Sequence, residues 1–377
     1  LKPIFLNRFE IINPKHCYTQ TVLNQWITKA HQSANQYVSA VDQMDDALLA
    51  KLFIRYGVSP AQISQRYFEC DDVLGVENPK SHIYTLTADS PRGADISART
   101  KFFSTRALEV MNQFYSEPKT FTMPDHLIHV TCTGYTSPSA AQRLIANPEW
   151  KKSTDITHAY HMGCYGAFPA IRMASSLASS QNHQVDIVHN EMCGLHMNCA
   201  THTPEQIIVQ TLFADGHAKY TVSQNALPNG ENLKILGVSE ALLPNSHDDM
   251  SWEPSPFGMT MTLTRDVPER IRLAIKEFSE SLLNKVGVTY SELKDAVFAI
   301  HPGGPRIIDV VKETLELSES QLTESRKILF ERGNMSSATL PHIWHEVLGK
   351  RHPKGTKIVS FAFGPGLTVF GAVFEVA

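Results

Sequence analysis

The sequence lacks most of the features that would fix a function at once. Its six cysteines (Cys17, Cys70, Cys132, Cys164, Cys193, Cys199) form no CxxC pair and are too sparse, over 377 residues, for a disulfide scaffold. No apolar run approaches the roughly 20 residues that span a bilayer. The opening LKPIFLNRFEII has no apolar segment followed by a small-residue cleavage site, so it does not read as a signal peptide. Charge of one sign is nearly balanced, at a net −4, which removes any global pull toward nucleic acid or an anionic membrane. Neither GxGxxG nor GxxxxGK[ST] occurs, so no nucleotide-phosphate loop is expected. These absences lead us to expect a cytoplasmic globular protein with no membrane insertion and no nucleic-acid partner.

What is present is an α/β rhythm of short apolar runs followed by helical patterns. HLIHVTCTGY (126–135) reads as a strand leaving into a turn, and SPSAAQRLI then offers Ser137 as N-cap with Pro138 at the first helical position. DITHAYHMG (155–163) is the next strand. CYGAFPAIRMASSLASS follows as a helix of mostly small residues, with Cys164 at its start and Pro169 in its first turn. VDIVHNE (185–191) is a further strand. In the second half, LKDAVFAIHPGG is a strand into a glycine turn, and Pro305 opens the helix PRIIDVVKETLEL. Gly333 is the expected C-cap of a helix, Asn334 lies just beyond it, and KIVSFAFGPGLTVFGAVFEV closes the chain as two strands around Gly-Pro-Gly. The Pro/Asn/Ser/Asp-rich stretch from Leu243 to Phe257 reads as a loop.

Three residues stand where strands give way to turns or helices. A cysteine at a helix N-terminus meets unpaired N–H groups and the positive end of the helix dipole, which favour thiolate and make Cys164 a candidate nucleophile. Buried, inert cysteine is the commoner condition, so position alone does not decide. His301, between an apolar strand and a rigid Pro-Gly-Gly-Pro turn, is placed to face a cavity. Asn334 is either a capping residue or a neutral donor to developing negative charge. His189, Cys193, His196, Cys199 and His202 recur every three or four residues, but the stretch contains Gly194 and lacks a zinc-binding core such as HExxH. Glu191 is either a base that orients water or an ordinary paired carboxylate.

Taken together, VTCTGY with SPS, GCYGAFPAIRMA, LFADG, RDVPERI, IHPGGPRIIDVV, GNMSSATL and FGPGLTVFG resemble, in order and spacing, the type III polyketide synthases of the thiolase fold. The resemblance runs from about Phe53 to the end. It implies a duplicated α/β fold in five αβαβα layers, with residues 1–225 forming the half that carries Cys164 and 226–377 the half that carries His301 and Asn334. It also implies a Cys164–His301–Asn334 triad, in which Cys164 carries an acyl chain that is condensed with a malonyl or β-ketoacyl thioester to give a pyrone, resorcinol or related polyketide. Phe213 and Met261 fall on gatekeeping positions. Cys193, His196 and Trp252 fall on the elongation pocket, with Cys132, Ser336 and Glu191 beside it. The turn around Gly364 and Gly366 would add oxyanion donors. No cofactor is implied, because the acyl-CoA or acyl-carrier-protein thioesters are substrates. The basic residues that would meet CoA phosphates are reduced to Lys51 and Arg55, which makes an acyl carrier protein the attractive donor. A homodimer is implied, with Ser137 near the partner's cavity. HMGCYGAFPAIR resembles in particular the bacterial enzymes that join two β-ketoacyl chains into an α-pyrone. A ketoacyl-ACP synthase III-like enzyme, a silent thiolase-fold scaffold and a cysteine hydrolase are the alternatives.

Overall fold

The computed structural model describes residues 2–39, 43–73, 82–116, 123–150, 152–228 and 230–377. The first half runs β1 (Phe5–Ile12), β2 (His16–Thr19), α1 (Gln20–Asn35), α2 (Asp46–Tyr56), β3 (Gln65–Phe68), α3 (Ile96–Phe114), β4 (His126–Thr131) and α4 (Ala140–Ile145). It continues through β5 (Asp155–Tyr160), α5 (Ala167–Gln181), β6 (Val185–Met192), α6 (Pro204–Leu212) and β7 (Asp215–Ser223). The second half holds β8 (Leu233–Leu242), the hairpin β9 (Met250–Ser255) and β10 (Gly258–Leu263), α7 (Val267–Val286), β11 (Val297–Ile300) and α8 (Pro305–Leu315). It ends with α9 (Thr323–Arg332), α10 (Thr339–Gly349), β12 (Lys357–Gly364) and β13 (Thr368–Val376).

Nine strands form one sheet in the order β11-β12-β13-β8-β1-β7-β6-β4-β5. Its two sides repeat one pattern. From the centre outward, β1, β7 and β6 are antiparallel, then β6 and β4 are parallel. On the other side β8, β13 and β12 are antiparallel, then β12 and β11 are parallel. The two runs meet only where Phe5 and Leu6 pair with Lys234 and Leu233. This is the duplicated unit expected from the sequence.

Alternation along the strands builds the layers. In β4, Ile128 and Val130 join a central apolar cluster while Leu127 joins an outer one. In β11, Val297 and Ala299 face the centre, whereas Phe298 and Ile300 face the opposite outer cluster. The central cluster also holds α5 and α10, so these helices are sandwiched between the half-sheets. Helices α1, α3 and α6 cover one outer face and α7 and α8 the other. The order is therefore αβαβα. A helix packed between two half-sheets needs small residues where it touches them, which accounts for buried Ala167, Ala170, Ala174 and Ala178 in α5. Phe168 and Trp344 meet edge to face at 5.9 Å across the α5–α10 contact.

Two local expectations are corrected. Ser139, not Ser137, caps α4: its Oγ accepts from Gln142 N at 3.2 Å, and the Gln142 side chain accepts from Ser139 N at 2.8 Å. This reciprocal box satisfies two end groups at once, which Ser137 has no glutamine in position to match. The stretch 243–257 is not all loop, because residues 250–255 form β9. Its polar and proline content is tolerated because β9 belongs to a two-stranded sheet and needs only one partner.

Candidate active site

Cys164 sits in a single 3₁₀ turn, Gly163–Tyr165, that joins β5 to α5. The α-helix itself begins at Ala167, so the cysteine stands one short turn ahead of the helix end rather than on its first residue. Gly163 makes that turn with φ +71°, and a Cβ there would lie 2.6 Å from Pro365 Cδ. Both conditions require glycine. Gly163→Ala is therefore expected to lower stability by about 1–3 kcal/mol and displace the thiol. Thermal unfolding and the rate of Cys164 alkylation would both register it.

Asn334 occupies the matching place in the other half, just before α10, where Gly333 (φ +73°) ends α9. Its backbone is stitched to the residues around Phe213: Asn334 N donates to Leu212 O at 3.0 Å, and Ala214 N donates to Asn334 O at 2.8 Å. Its side chain is oriented as well. Oδ1 accepts from Ser336 N at 2.8 Å, so the amide Nδ2 points away from that contact. Nδ2 is buried and has no hydrogen-bond partner among the described residues.

His301 follows β11, and its backbone N–H bonds Phe361 O at 2.8 Å. The ring is 0% exposed, yet neither of its nitrogens has a partner among the described residues. Unpaired buried donors are costly and therefore rare. Here Asn334 Nδ2 and the imidazole line the same cavity as Cys164, about 550 Å³ in volume. Its walls are mostly apolar, among them Val58, Ile208, Leu212, Val267, Ile271 and Phe363. The arrangement is a thiol facing two donors that wait for an oxygen from outside the protein.

Burial sets the resting charges. It pushes the Cys164 thiol up to about 12, while the neighbouring Ser336 and Asn334 side chains pull in the opposite direction. Burial also pulls the His301 imidazole down to about 3. Each charge is unfavourable by itself. A thiolate beside an imidazolium is a different species, because each supplies the counter-ion that the other lacks.

The profile described as chalcone and stilbene synthases, N-terminal domain, matches residues 20–225, and that of the C-terminal domain matches residues 234–376. The chain belongs to the chalcone and stilbene synthase family. It is a type III polyketide synthase, an acyltransferase that condenses acyl units through a cysteine. Its fold matches the C-terminal type III polyketide synthase domain of Steely1, a type I/III hybrid from Dictyostelium, with TM-score 0.82, 22% identity and full coverage of both chains. It also matches PKS-I from the brown alga Ectocarpus siliculosus, with TM-score 0.85 and 22% identity over 100% of this chain and 99% of that one.

Beyond the thiol, the synthase narrows. Phe213 and Met261 line the large cavity and also two inner spaces of about 20 Å³ each. They form the throat. Cys193 and Trp252 line both inner spaces, Cys132 and Ser336 the one next to Cys164, and His196 the farther one. Met261 and Trp252 are directly opposite each other in the β9–β10 hairpin, and the Trp252 indole donates to Cys132 O at 2.7 Å. His196 accepts from Met259 N at 3.0 Å through Nδ1, which leaves Nε2 to donate to Thr133 O at 2.9 Å. That pairing fixes a neutral ring, and burial pulls its pKa down to about 3.

Other expected residues are placed differently. Glu191 lines none of these cavities. It is fully buried, accepting from Cys132 N and Thr133 Oγ1 at 3.0 Å each and from Ser337 Oγ, which is the paired-carboxylate arrangement. Burial raises its pKa. His196 bonds Thr133 and Met259 rather than Glu191. The residues weighed for zinc diverge: His189 bonds Ser337 and Tyr220, while His202 bonds His31.

Gly364 and Gly366 do not line the cavities. Pro365 between them does, and it has no N–H to donate, while the Leu367 N–H is already given to Ser246 Oγ at 2.6 Å. Pro365 thus walls the inner space, and neither it nor Leu367 has an N–H left to offer there. Lys51 and Arg55 are exposed on α2 and do not line the cavity, although Arg55 stacks on Tyr56, which does. Arg265 and Arg306 are the lining cations, and the sequence reading passed over them. Arg306 is the second residue of α8, where a cation opposes the helix dipole, and Glu313 of the same helix pairs with it at 3.0 Å.

Proposed function

We propose that Cys164 is the acyl-carrying nucleophile and that His301 and Asn334 stabilise charge developing on thioester oxygens. The observation that carries this reading is the pair of buried, unpartnered donors beside a thiol at the end of an apolar cavity. Cys164 Sγ gives its proton to His301 and attacks the thioester carbonyl, and the thiol of the donor leaves. A second thioester then binds with its carbonyl oxygen against His301 and Asn334. If it is a malonyl unit, loss of CO₂ leaves an enolate held there. If it is a β-ketoacyl unit, a proton is lost from its acidic α-carbon. The carbon attacks the Cys164 acyl group and frees the sulfur.

Among products, an α-pyrone formed by joining two chains is favoured by the shape of the space. A large apolar entrance suits alkyl thioesters, whereas the two inner spaces of about 20 Å³ leave little room for many malonyl additions. Carrier-protein donors are supported by the few cations at the mouth. Arg265 and Arg306 suit one pantetheine phosphate better than the several phosphates of CoA. A homodimer is supported by β5, a sheet-edge strand with half-exposed residues and an unpaired side. A cytoplasmic site of action fits six free cysteines.

The test is intact-protein mass spectrometry after brief exposure to one alkyl β-ketoacyl chain on CoA and on a carrier protein. An adduct is expected from both donors, faster from the carrier protein, and absent in Cys164→Ala. Folded protein that takes no adduct from either donor would overturn the enzyme reading in favour of a scaffold.

A further inference from the structure

The inner space beside the nucleophile is lined by three thiols, those of Cys132, Cys164 and Cys193, and all three are free. The mechanism uses one of them. We infer that Cys132 is a resolving thiol: on exposure to a hydroperoxide it closes a reversible disulfide with Cys164 and so withdraws the nucleophile before it is oxidised further. The inference rests on Cys164 being the reactive thiol.

Three observations place Cys132 rather than Cys193 in this role. Strands β4 and β5 run side by side and parallel, with Thr131 paired to Tyr160, so the two chain segments leave the sheet together toward the site. Cys132 Sγ accepts a hydrogen bond from Gly163 N at 3.0 Å, one residue from Cys164. Ser336 lines the inner space together with Cys132 and Cys164, and its hydroxyl lowers the pKa of both thiols. Cys193 lies on a segment held elsewhere, with Gly194 N donating to Asp215 at 2.7 Å.

Access is graded in the right order. Cys164 lines the large cavity and meets an entering peroxide first, whereas Cys132 lines only the inner space behind it. The Cys164 thiolate attacks a peroxide oxygen: an S–O bond forms, the O–O bond breaks, and the departing alkoxide or hydroxide takes up a proton. Cys132 Sγ then attacks the sulfenic sulfur. The S–S bond forms, the S–O bond breaks, and hydroxide leaves as water with the proton from Cys132. Two thiols lose two electrons and one hydroperoxide is reduced to alcohol, or to water when it is hydrogen peroxide, plus one further water. Without a neighbouring thiol, the sulfenic acid proceeds to sulfinic acid, which thiol reductants do not reverse.

Trypsin separates the three thiols, because Cys132 falls in residues 120–143, Cys164 in 153–172 and Cys193 in 173–219. The purified synthase would be treated with hydrogen peroxide, quenched with N-ethylmaleimide and digested without reductant. Expected is a 120–143/153–172 cross-link, lighter by two hydrogens than the sum of its peptides. Loss of activity should follow its formation and be reversed by dithiothreitol. In Cys132→Ser the same treatment should leave sulfinic acid at Cys164, with an activity loss that dithiothreitol does not reverse. Cys193→Ser should keep the cross-link. Sulfinic acid at Cys164 in the unsubstituted protein without a cross-link would overturn the proposal, as would a link to 173–219. Should Cys164 take an acyl adduct normally yet form no cross-link, this inference fails alone. Should it neither acylate nor oxidise, the nucleophile reading fails with it.

Discussion

Replacing His301 by glutamine will move the alkylation of Cys164 by iodoacetamide to higher pH. Burial, with the Glu191 carboxylate adding to it, holds the thiol up at about 12 even though Ser336 and Asn334 pull the other way. A cation beside the sulfur offsets that burial, and the described cavity wall brings His301 to the same space. In the unsubstituted synthase the proton passes from sulfur to imidazole and the alkylation midpoint should fall below the ordinary thiol value of about 8.5. Glutamine fills similar space and can donate, but it cannot accept that proton. The midpoint should rise by about 2 or more pH units, and alkylation at pH 7 should slow about 100-fold. The sign is fixed by the charge involved: losing a partner that favours the thiolate raises the thiol pKa. An unchanged midpoint would show that the sulfur draws its reactivity from another source.

Asn334→Ala should separate the two halves of the reaction. The amide Nδ2 is a buried donor with no partner among the described residues. Removing one such donor typically costs about 10²–10³ in rate when it faces charge that develops in the transition state. Condensation should fall by about that factor, while Cys164 still accumulates its acyl adduct, because His301 remains to take the proton. Intact mass and product formation, measured on one sample, resolve the two steps. Loss of adduct and product in equal proportion would mean that Asn334 chiefly shapes the loop through its Ser336 contact. Circular dichroism of the variant would show whether the loop and α10 persist.

Much of this site could be read before the structure. Cys164, His301 and Asn334 each adjoin a strong local punctuation signal: a strand ending in glycine, Pro-Gly-Gly-Pro, or a glycine helix cap. Their convergence is what a single sequence conceals, since it depends on two half-sheets meeting through only two residue pairs. Elements with short apolar runs, such as β4, β11 and β12, were legible because each faces two apolar layers. The β9–β10 hairpin was not, because Glu253 and Pro254 are exposed and the two strands form a separate small sheet. At the Gly364–Gly366 turn, glycine content reports backbone freedom, not which N–H groups are left over. Lys51 and Arg55 came from the family resemblance, and a basic residue in the matching segment does not say whether its side chain faces a cavity or the solvent.

The two central helices carry a further consequence. Cys164 precedes α5 and Asn334 precedes α10, and those helices belong to different halves of the duplication. The gap between nucleophile and donor is therefore a caliper reading of how firmly the halves are seated. No local loop can readjust it independently. Slackness at Phe168 and Trp344, remote from any substrate, would open the jaws without altering a single catalytic group, so the core of this synthase is also its ruler.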